Sequence, residues 1–257
     1  MTDLHDPRSS ILDSIPPHSI FVSDLHLCPT RPAINRVFVD FVRGPAARAD
    51  ALYILGDLFE YWIGDDDDDP FNASILQTLR ELSRRGVALN VMHGNRDFLI
   101  GERFCAVSGA KLLSDPALLD LYGTATLLAH GDTLCADDTR YQQFRAQVRA
   151  PKWQQDFLAQ PLATRRKIAA ALRAESTSEK SLKSEAIMDV TLSAVESALR
   201  CHGYPRLIHG HTHRPALHRH LVDSHSCERW VLADWYTAGS YLRCDAQRCD
   251  VVNLAAA

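Results

Sequence analysis

The chain contains no run of 18 apolar residues, so no part of it crosses a bilayer as a helix. Its opening stretch, MTDLHDPRSSILDSIPPHS, has acidic residues and prolines where a secretory leader carries a basic end and an apolar segment. The seven cysteines (Cys28, Cys105, Cys135, Cys201, Cys227, Cys244 and Cys249) form no CxxC pair and have no regular spacing. That excludes a thiolate zinc knuckle, speaks against a disulfide framework and agrees with a reducing cytoplasm. A basic excess is also missing, since 28 Lys+Arg stand against 32 Asp+Glu for a net charge of -4. A nucleic-acid backbone is therefore not the expected partner. There are no internal repeats, and the one charge run, Asp65 to Asp69, reads over Asp67, Asp68 and Asp69 as a solvated loop.

What the chain does have is 46% hydrophobic residues over 257 positions, enough to bury the core of one large domain or two small ones. The twelve histidines are an excess that calls for a cause. After a polar leader over 1–18, short apolar runs recur and each stops at a polar loop. Ile20, Phe21 and Val22 end at SDLH, Ala51 to Leu55 at GD, and Val87 to Met92 at HGNRD. Leu118 to Tyr122 and Thr124 to Ala129 read as strand, turn and strand leading to HGD, and Leu207 to His209 leads to GHTHRP. Ile75, Leu79 and Leu82, with Gly86 beyond them, predict an amphipathic helix over 73–85. Short runs around Leu217, Val231, Tyr241 and Val251 predict a closing set of antiparallel strands. In open α/β sheets ligands gather beyond the carboxyl ends of strands, so loops distant in sequence can meet there.

Those loops share one chemistry. Asp24 and His26 lie two apart at a strand end, on one face; Asp57 follows a glycine; Asn95 offers an amide oxygen; His130, His211 and His213 offer imidazoles. Any one pair is weak, but a purely structural origin would need five separate loops to be polar by coincidence. Mixed oxygen and nitrogen donors without a thiolate suit hard-to-borderline divalent ions such as Mn²⁺. Seven donors are too many for one ion and suit two, with Asp57 as the bridging carboxylate because the preceding glycine permits close backbone approach. Two ions about 3.5–4 Å apart activate water and clamp a phosphoryl group.

The strings DLH, GDLFEYWIGDD, GNRDF, HGD and GHTHRP, in that order, resemble the calcineurin-like metallophosphoesterase superfamily. More narrowly, GDLFEYWIGDD, HGNRDFLIG, AHGDTLCADD, EAIMDV and IHGHTHRPA are similar to the UDP-2,3-diacylglucosamine hydrolase family, pyrophosphatases of the lipid A pathway, over about Ser19 to Val252. The resemblance implies a four-layer α/β/β/α sandwich over 19–257 with a helical lid over 140–200. It implies two Mn²⁺ held by Asp24, His26, Asp57, Asn95, His130, His211 and His213. Substrate contacts carried over from the family fall on Asn95, Arg96, Asp138, Ser176, Lys183 and His211, with Tyr141 added. Lys180 departs from the small polar residue usual in the family, yet lies three residues from Lys183 on one helix face. The implied reaction attacks the α-phosphorus of UDP-2,3-diacylglucosamine and yields 2,3-diacylglucosamine 1-phosphate and UMP. The implied location is the cytoplasmic face of the inner membrane, as a peripheral enzyme.

Arg96 stands where many members of the superfamily have histidine. A sugar phosphate, with a second pKa of about 6, leaves without an acid. A permanently charged guanidinium suits that step by stabilising transition-state charge without giving up a proton. Arg140 to Glu185 carries 10 Lys+Arg and 4 Asp+Glu, net +6, leaving a net -10 elsewhere. Four roles compete for it: a solvated surface, an oligomer contact, a nucleic-acid patch, and a lid over an anionic lipid. Phe144, Trp153, Phe157, Leu158, Leu162, Ile168 and Leu172 exceed what a solvated face requires and favour the lid. The same composition allows docking on an anionic membrane surface. A nuclease on the same scaffold would want a basic polymer groove, against the net -10 body. A metal-free binding scaffold would be expected to have lost some of the seven donors, and all are present.

Overall fold

The computed structural model describes residues 16–182 and 189–254, with side chains described for all but 175–182 of these. The first half alternates strand and helix: β1 (His18–Val22), α1 (Pro32–Arg43), β2 (Ala51–Leu55), α2 (Pro70–Arg84), β3 (Ala88–Met92), α3 (Glu102–Ser108) and β4 (Lys111–Leu113). Then come β5 (Ala117–Leu121), β6 (Thr124–Ala129), α4 (Thr139–Arg149), α5 (Pro151–Leu158), α6 (Leu162–Leu182), α7 (Leu192–Cys201) and β7 (Arg206–His209). Four strands close the chain: β8 (Ala216–Val222), β9 (His225–Val231), β10 (Ser240–Asp245) and β11 (Cys249–Asn253).

Two mixed sheets result, ordered β11-β10-β1-β2-β3-β4 and β5-β6-β7-β9-β8. The closing strands expected as one antiparallel set are divided. The pair β8 and β9 completes the second sheet, whereas β10 and β11 complete the first, with β10 antiparallel to β1. Phe21, Leu55 and Met92 of the first sheet meet Leu121, Leu128 and Ile208 of the second in a buried layer between them. The outer face of the first sheet is covered by α1 and α2 through Phe38, Phe41, Ile75 and Leu79. That of the second is covered by α7 through Val195 and Leu199. Helix, sheet, sheet and helix make the four-layer α/β/β/α sandwich.

The amphipathic helix α2 begins three residues before the predicted start. Asp69 accepts from the Phe71 N–H at 2.9 Å as its N-cap, and Pro70 occupies the first helical position. The aspartate run is accordingly not a free solvated loop. Asp65 accepts the N–H groups of Gly101 and Phe104 at the start of α3, each at 3.0 Å. Asp66 pairs with Arg165, and Asp67 and Asp68 both pair with Arg166, so the acidic segment grips α6. A contact between loops so far apart in sequence leaves no periodic trace, which is why composition alone reads the run as solvated. Cys244 and Cys249, directly opposite each other on β10 and β11, form one disulfide, and Cys28, Cys105, Cys135, Cys201 and Cys227 are thiols.

Candidate metal centre

The polar loops that follow β1, β2, β3, β6 and β7 converge at the carboxyl ends of these strands. Asp24, His26, Asp57 and His130 are buried, with Asn95, His211 and His213 partly exposed beside them. Five of these seven residues hold a positive φ: 55° at Asp24, 47° at His26, 54° at Asp57, 70° at His211 and 55° at His213. Left-handed backbone costs non-glycine residues on the order of 1–3 kcal/mol each and concentrates at functional sites. Such clustering shows that loop conformation here serves side-chain direction and not chain economy.

Glycines make the convergence sterically possible. A Cβ on Gly94 would lie 2.1 Å from Asp57 Oδ1, and one on Gly210 would lie 2.3 Å from Asp24 Oδ2. Only a residue without a side chain allows these loops to press against the carboxylates.

Two groups of donors result, Asp24 with His26 and His213, and Asp24 with Asp57 and His130, each with donor atoms within 4.8 Å of one another. Asp57 straddles them, with Oδ2 3.8 Å from His26 Nε2 and Oδ1 3.9 Å from His130 Nε2. His213 Nε2 lies 3.3 Å from Asp24 Oδ1. The amide oxygen of Asn95 lies 3.0 Å from His130 Nε2 and 2.9 Å from His211 Nδ1. His130 donates from Nδ1 to the Leu55 carbonyl at 2.9 Å, which makes Nε2 the ring nitrogen that faces the centre.

Electrostatics agree with cation binding. Burial, reinforced by Asp97 and Asp24, pushes the Asp57 carboxyl up to about 7. Burial opposes protonation of His130, yet Asp57, Asp132, Asp24 and Asp115 together push it up to about 9. Burial would raise Asp24 too, but His213, His130 and His26 hold it well below the usual carboxylate range. Carboxylates this buried need a positive partner. Asp24 Oδ1 is buried and faces only the imidazoles of the centre, His213 Nε2 at 3.3 Å and His26 Nε2 at 4.0 Å, within a set of hard and borderline donors. Divalent ions fit the residues present.

Several supporting residues escape sequence reasoning. Asp97 accepts from the N–H groups of Asp57 at 3.2 Å, Leu58 at 2.8 Å and Gly94 at 2.8 Å, binding two ligand loops together. Asp132 accepts from the Tyr141 hydroxyl at 2.6 Å and Arg145 Nε at 2.7 Å, attaching α4 to the HGD loop. Both lie inside the GNRD and HGD strings, so adjacency to a ligand was the available signal. Asp115, which accepts the His130 N–H at 3.2 Å, had no such signal.

A cavity of 490 Å³ opens between this centre and helices α4, α5 and α6. Asn95, Arg96, Asp138, Tyr141 and His211, all named from the sequence, line it. The side chains of Ser176 and Lys180, and the whole of Lys183, lie outside the described residues. Apolar walls come from Phe98, Leu99, Trp153, Phe157 and Leu172, with Trp153 stacked on Phe157 at a centroid distance of 5.1 Å.

An α/β/β/α sandwich with carboxylate, amide and imidazole donors at its strand ends defines a metal-dependent phosphoesterase. The chain belongs to the calcineurin-like phosphoesterase family, whose model matches residues 18–215. It is 53% identical over 227 residues to a protein of Aromatoleum aromaticum named UDP-2,3-diacylglucosamine hydrolase, covering 88% of this chain and 93% of that one. Proteins of the same name from Cellvibrio japonicus, 50% identical over 222 residues, and Escherichia coli O81, 48% identical over 235 residues, cover 86% and 91% of this chain and 92% and 98% of their own lengths.

Proposed function

We propose that this protein hydrolyses the pyrophosphate bond of UDP-2,3-diacylglucosamine, with attack at the α-phosphorus to give 2,3-diacylglucosamine 1-phosphate and UMP. The observation that carries the reading is the cavity, in which Asn95, Arg96 and His211 share one wall system with Phe98, Trp153, Phe157 and Leu172. A lipid nucleotide has the matching division, anionic at the diphosphate and apolar at the acyl chains.

Asp24, His26, Asp57, Asn95, His130, His211 and His213 would hold two divalent ions, Mn²⁺ by preference, with Asp57 shared between them. Bound there, such ions would activate the attacking water and offset charge on the phosphoryl oxygens. Arg96, whose N–H donates to Asp57 Oδ1 at 2.8 Å, lines the cavity at the centre's edge, where its guanidinium stabilises the charge of the five-coordinate phosphorus. No acid is required of it, because the sugar phosphate leaves as a weak base. Asp138 and Tyr141 begin α4 and orient the nucleotide, with Ser176, Lys180 and Lys183 completing the anion site. Helices α4 to α6 act as a lid that shields the acyl chains from water. The proposal extends to docking on the cytoplasmic face of the inner membrane, for which the lid offers exposed apolar Leu158, while Arg145, Arg165, Arg166 and Arg173 are engaged with core carboxylates.

Purified protein supplied with Mn²⁺ is expected to release UMP from the lipid nucleotide and to leave single-stranded DNA intact. Absence of UMP, or full activity in Asp57→Ala or His130→Ala, overturns the proposal.

A further inference from the structure

Beside the group of Asp24, His26 and His213 runs a segment to which the site as described gives no role, Asp234 to Tyr236 between β9 and β10. Trp235 anchors it. Its ring is fully buried, edge-on to Phe41 at a centroid distance of 5.3 Å, and its backbone N–H donates to the Asp24 carbonyl at 3.0 Å. The residues on either side of Trp235 are thereby held against the ligand loops.

Tyr236 stacks on His26, with ring centroids 5.2 Å apart and planes 20° apart, and its ring lies 5.5 Å from that of His213. Asp234 Oδ2 is 3.7 Å from His213 Nδ1, the ring nitrogen opposite the Nε2 that faces Asp24. Asp234 Oδ1 also accepts the Tyr236 N–H at 3.0 Å. Arg31 closes the assembly by donating to the His26 carbonyl at 3.0 Å and the Trp235 carbonyl at 2.9 Å, while its guanidinium carbon sits 4.6 Å from the centre of the Tyr236 ring. One imidazole has its plane set by an aromatic stack, and the other has a carboxylate behind it. Outer partners of this kind fix ring orientation and raise ligand basicity.

We propose that Asp234 and Tyr236, held in place by Arg31 and Trp235, are positioning residues that orient His26 and His213 for one of the two divalent ions. The inference rests on the metal-centre reading above. It is selective, because His130 in the other group is oriented by the Leu55 carbonyl and Asp57 by the Arg96 N–H, neither of which touches this segment. Tyr236 is 43% exposed, so loss of its ring removes the stack while the buried Trp235 keeps the chain path.

Mn²⁺ alone is titrated calorimetrically into metal-stripped full-length protein. Wild type is expected to bind two ions. Tyr236→Ala and Asp234→Asn are expected to keep one affinity unchanged and to weaken the other by roughly 10–100-fold, and Tyr236→Phe, which preserves the stack, to restore it. Both affinities unchanged in Tyr236→Ala and Asp234→Asn, or both reduced alike with a lowered Tm, overturns the positioning role. Failure of the wild type to bind Mn²⁺ overturns the metal-centre reading itself.

Discussion

Arg165 and Asp66, 99 residues apart, form a two-pronged ion pair in which the guanidinium is 2% exposed and also donates to the Ile63 carbonyl at 2.7 Å. Through this pair, and through Arg166 with Asp67 and Asp68, the basic insertion is fastened to the acidic loop of the core. The charge segregation of the sequence is in large part an internal contact.

Removal of that guanidinium should loosen α6. Asp66 is half-exposed and can regain water, so the cost falls on the Ile63 carbonyl and the lost charge-assisted bonds, roughly 1.5–3 kcal/mol. Arg165→Ala is expected to lower the urea midpoint and to speed amide exchange over α6, with β1 to β3 little changed.

The close approach at Gly94 predicts an effect larger than the size of a methyl group suggests. Because a Cβ there would lie 2.1 Å from Asp57 Oδ1, Gly94→Ala must displace either the carboxylate or the GNRD loop. Elemental analysis of the purified variant is expected to show loss of bound metal, with the circular dichroism of the wild type retained.

Arg96 should matter to turnover more than to binding. Arg96→Ala is expected to lower kcat for UMP release by about 10²–10³-fold, the range for loss of one preorganised donor. Arg96→Lys should recover only part of this, since an ammonium offers no planar fork.

His209 sets a pH dependence of stability. Burial, with the Arg229 guanidinium adding to it, pushes this imidazole down to about 4 from an ordinary 6.5. Between those values the unfolded chain binds the extra proton, so stability is complete above about pH 6.5 and falls as pH drops toward 4, by about 3 kcal/mol in all. In urea unfolding of metal-free protein from pH 7 to pH 4.5 this loss is read as the part of the pH dependence that His209→Asn removes, because the raised Asp57 carboxyl takes up a proton in the folded state over the same range and works against it.

Metal should stabilise as well as activate. Adding Mn²⁺ at 100 times its Kd to stripped protein is expected to contribute about 2.7 kcal/mol per site and to raise Tm, and chelation should reverse both the Tm shift and the activity.

Much of the site was legible because ligation demands residue types that sequence displays. Asp24 with His26, and His211 with His213, advertise themselves by a two-residue spacing at strand ends, and Asp57 and Asn95 by the glycine or polar string around them. Partners that act from a distance carry no such mark. Asp115 and Tyr236 lie in stretches whose local pattern says nothing of His130 or His26, although each touches its histidine in the folded chain. Composition reads Asp67, Asp68 and Asp69 as a solvated loop, whereas Asp69 caps the helix that follows it and the distant Arg166 takes Asp67 and Asp68.

By itself the sequence determined the alternation of apolar runs and polar loops, the donor types available, and so the chemistry that a metal centre here supports. Only the tertiary structure decided that β8 and β9 complete one sheet while β10 and β11 complete the other, that Asp57 lies between His26 and His130, and that Arg165 and Arg166 are spent on the aspartate run. Periodicity and residue type are properties of neighbours along the chain, whereas pairing of strands, shared ligands and ion pairs are settled by which distant surfaces are buried together.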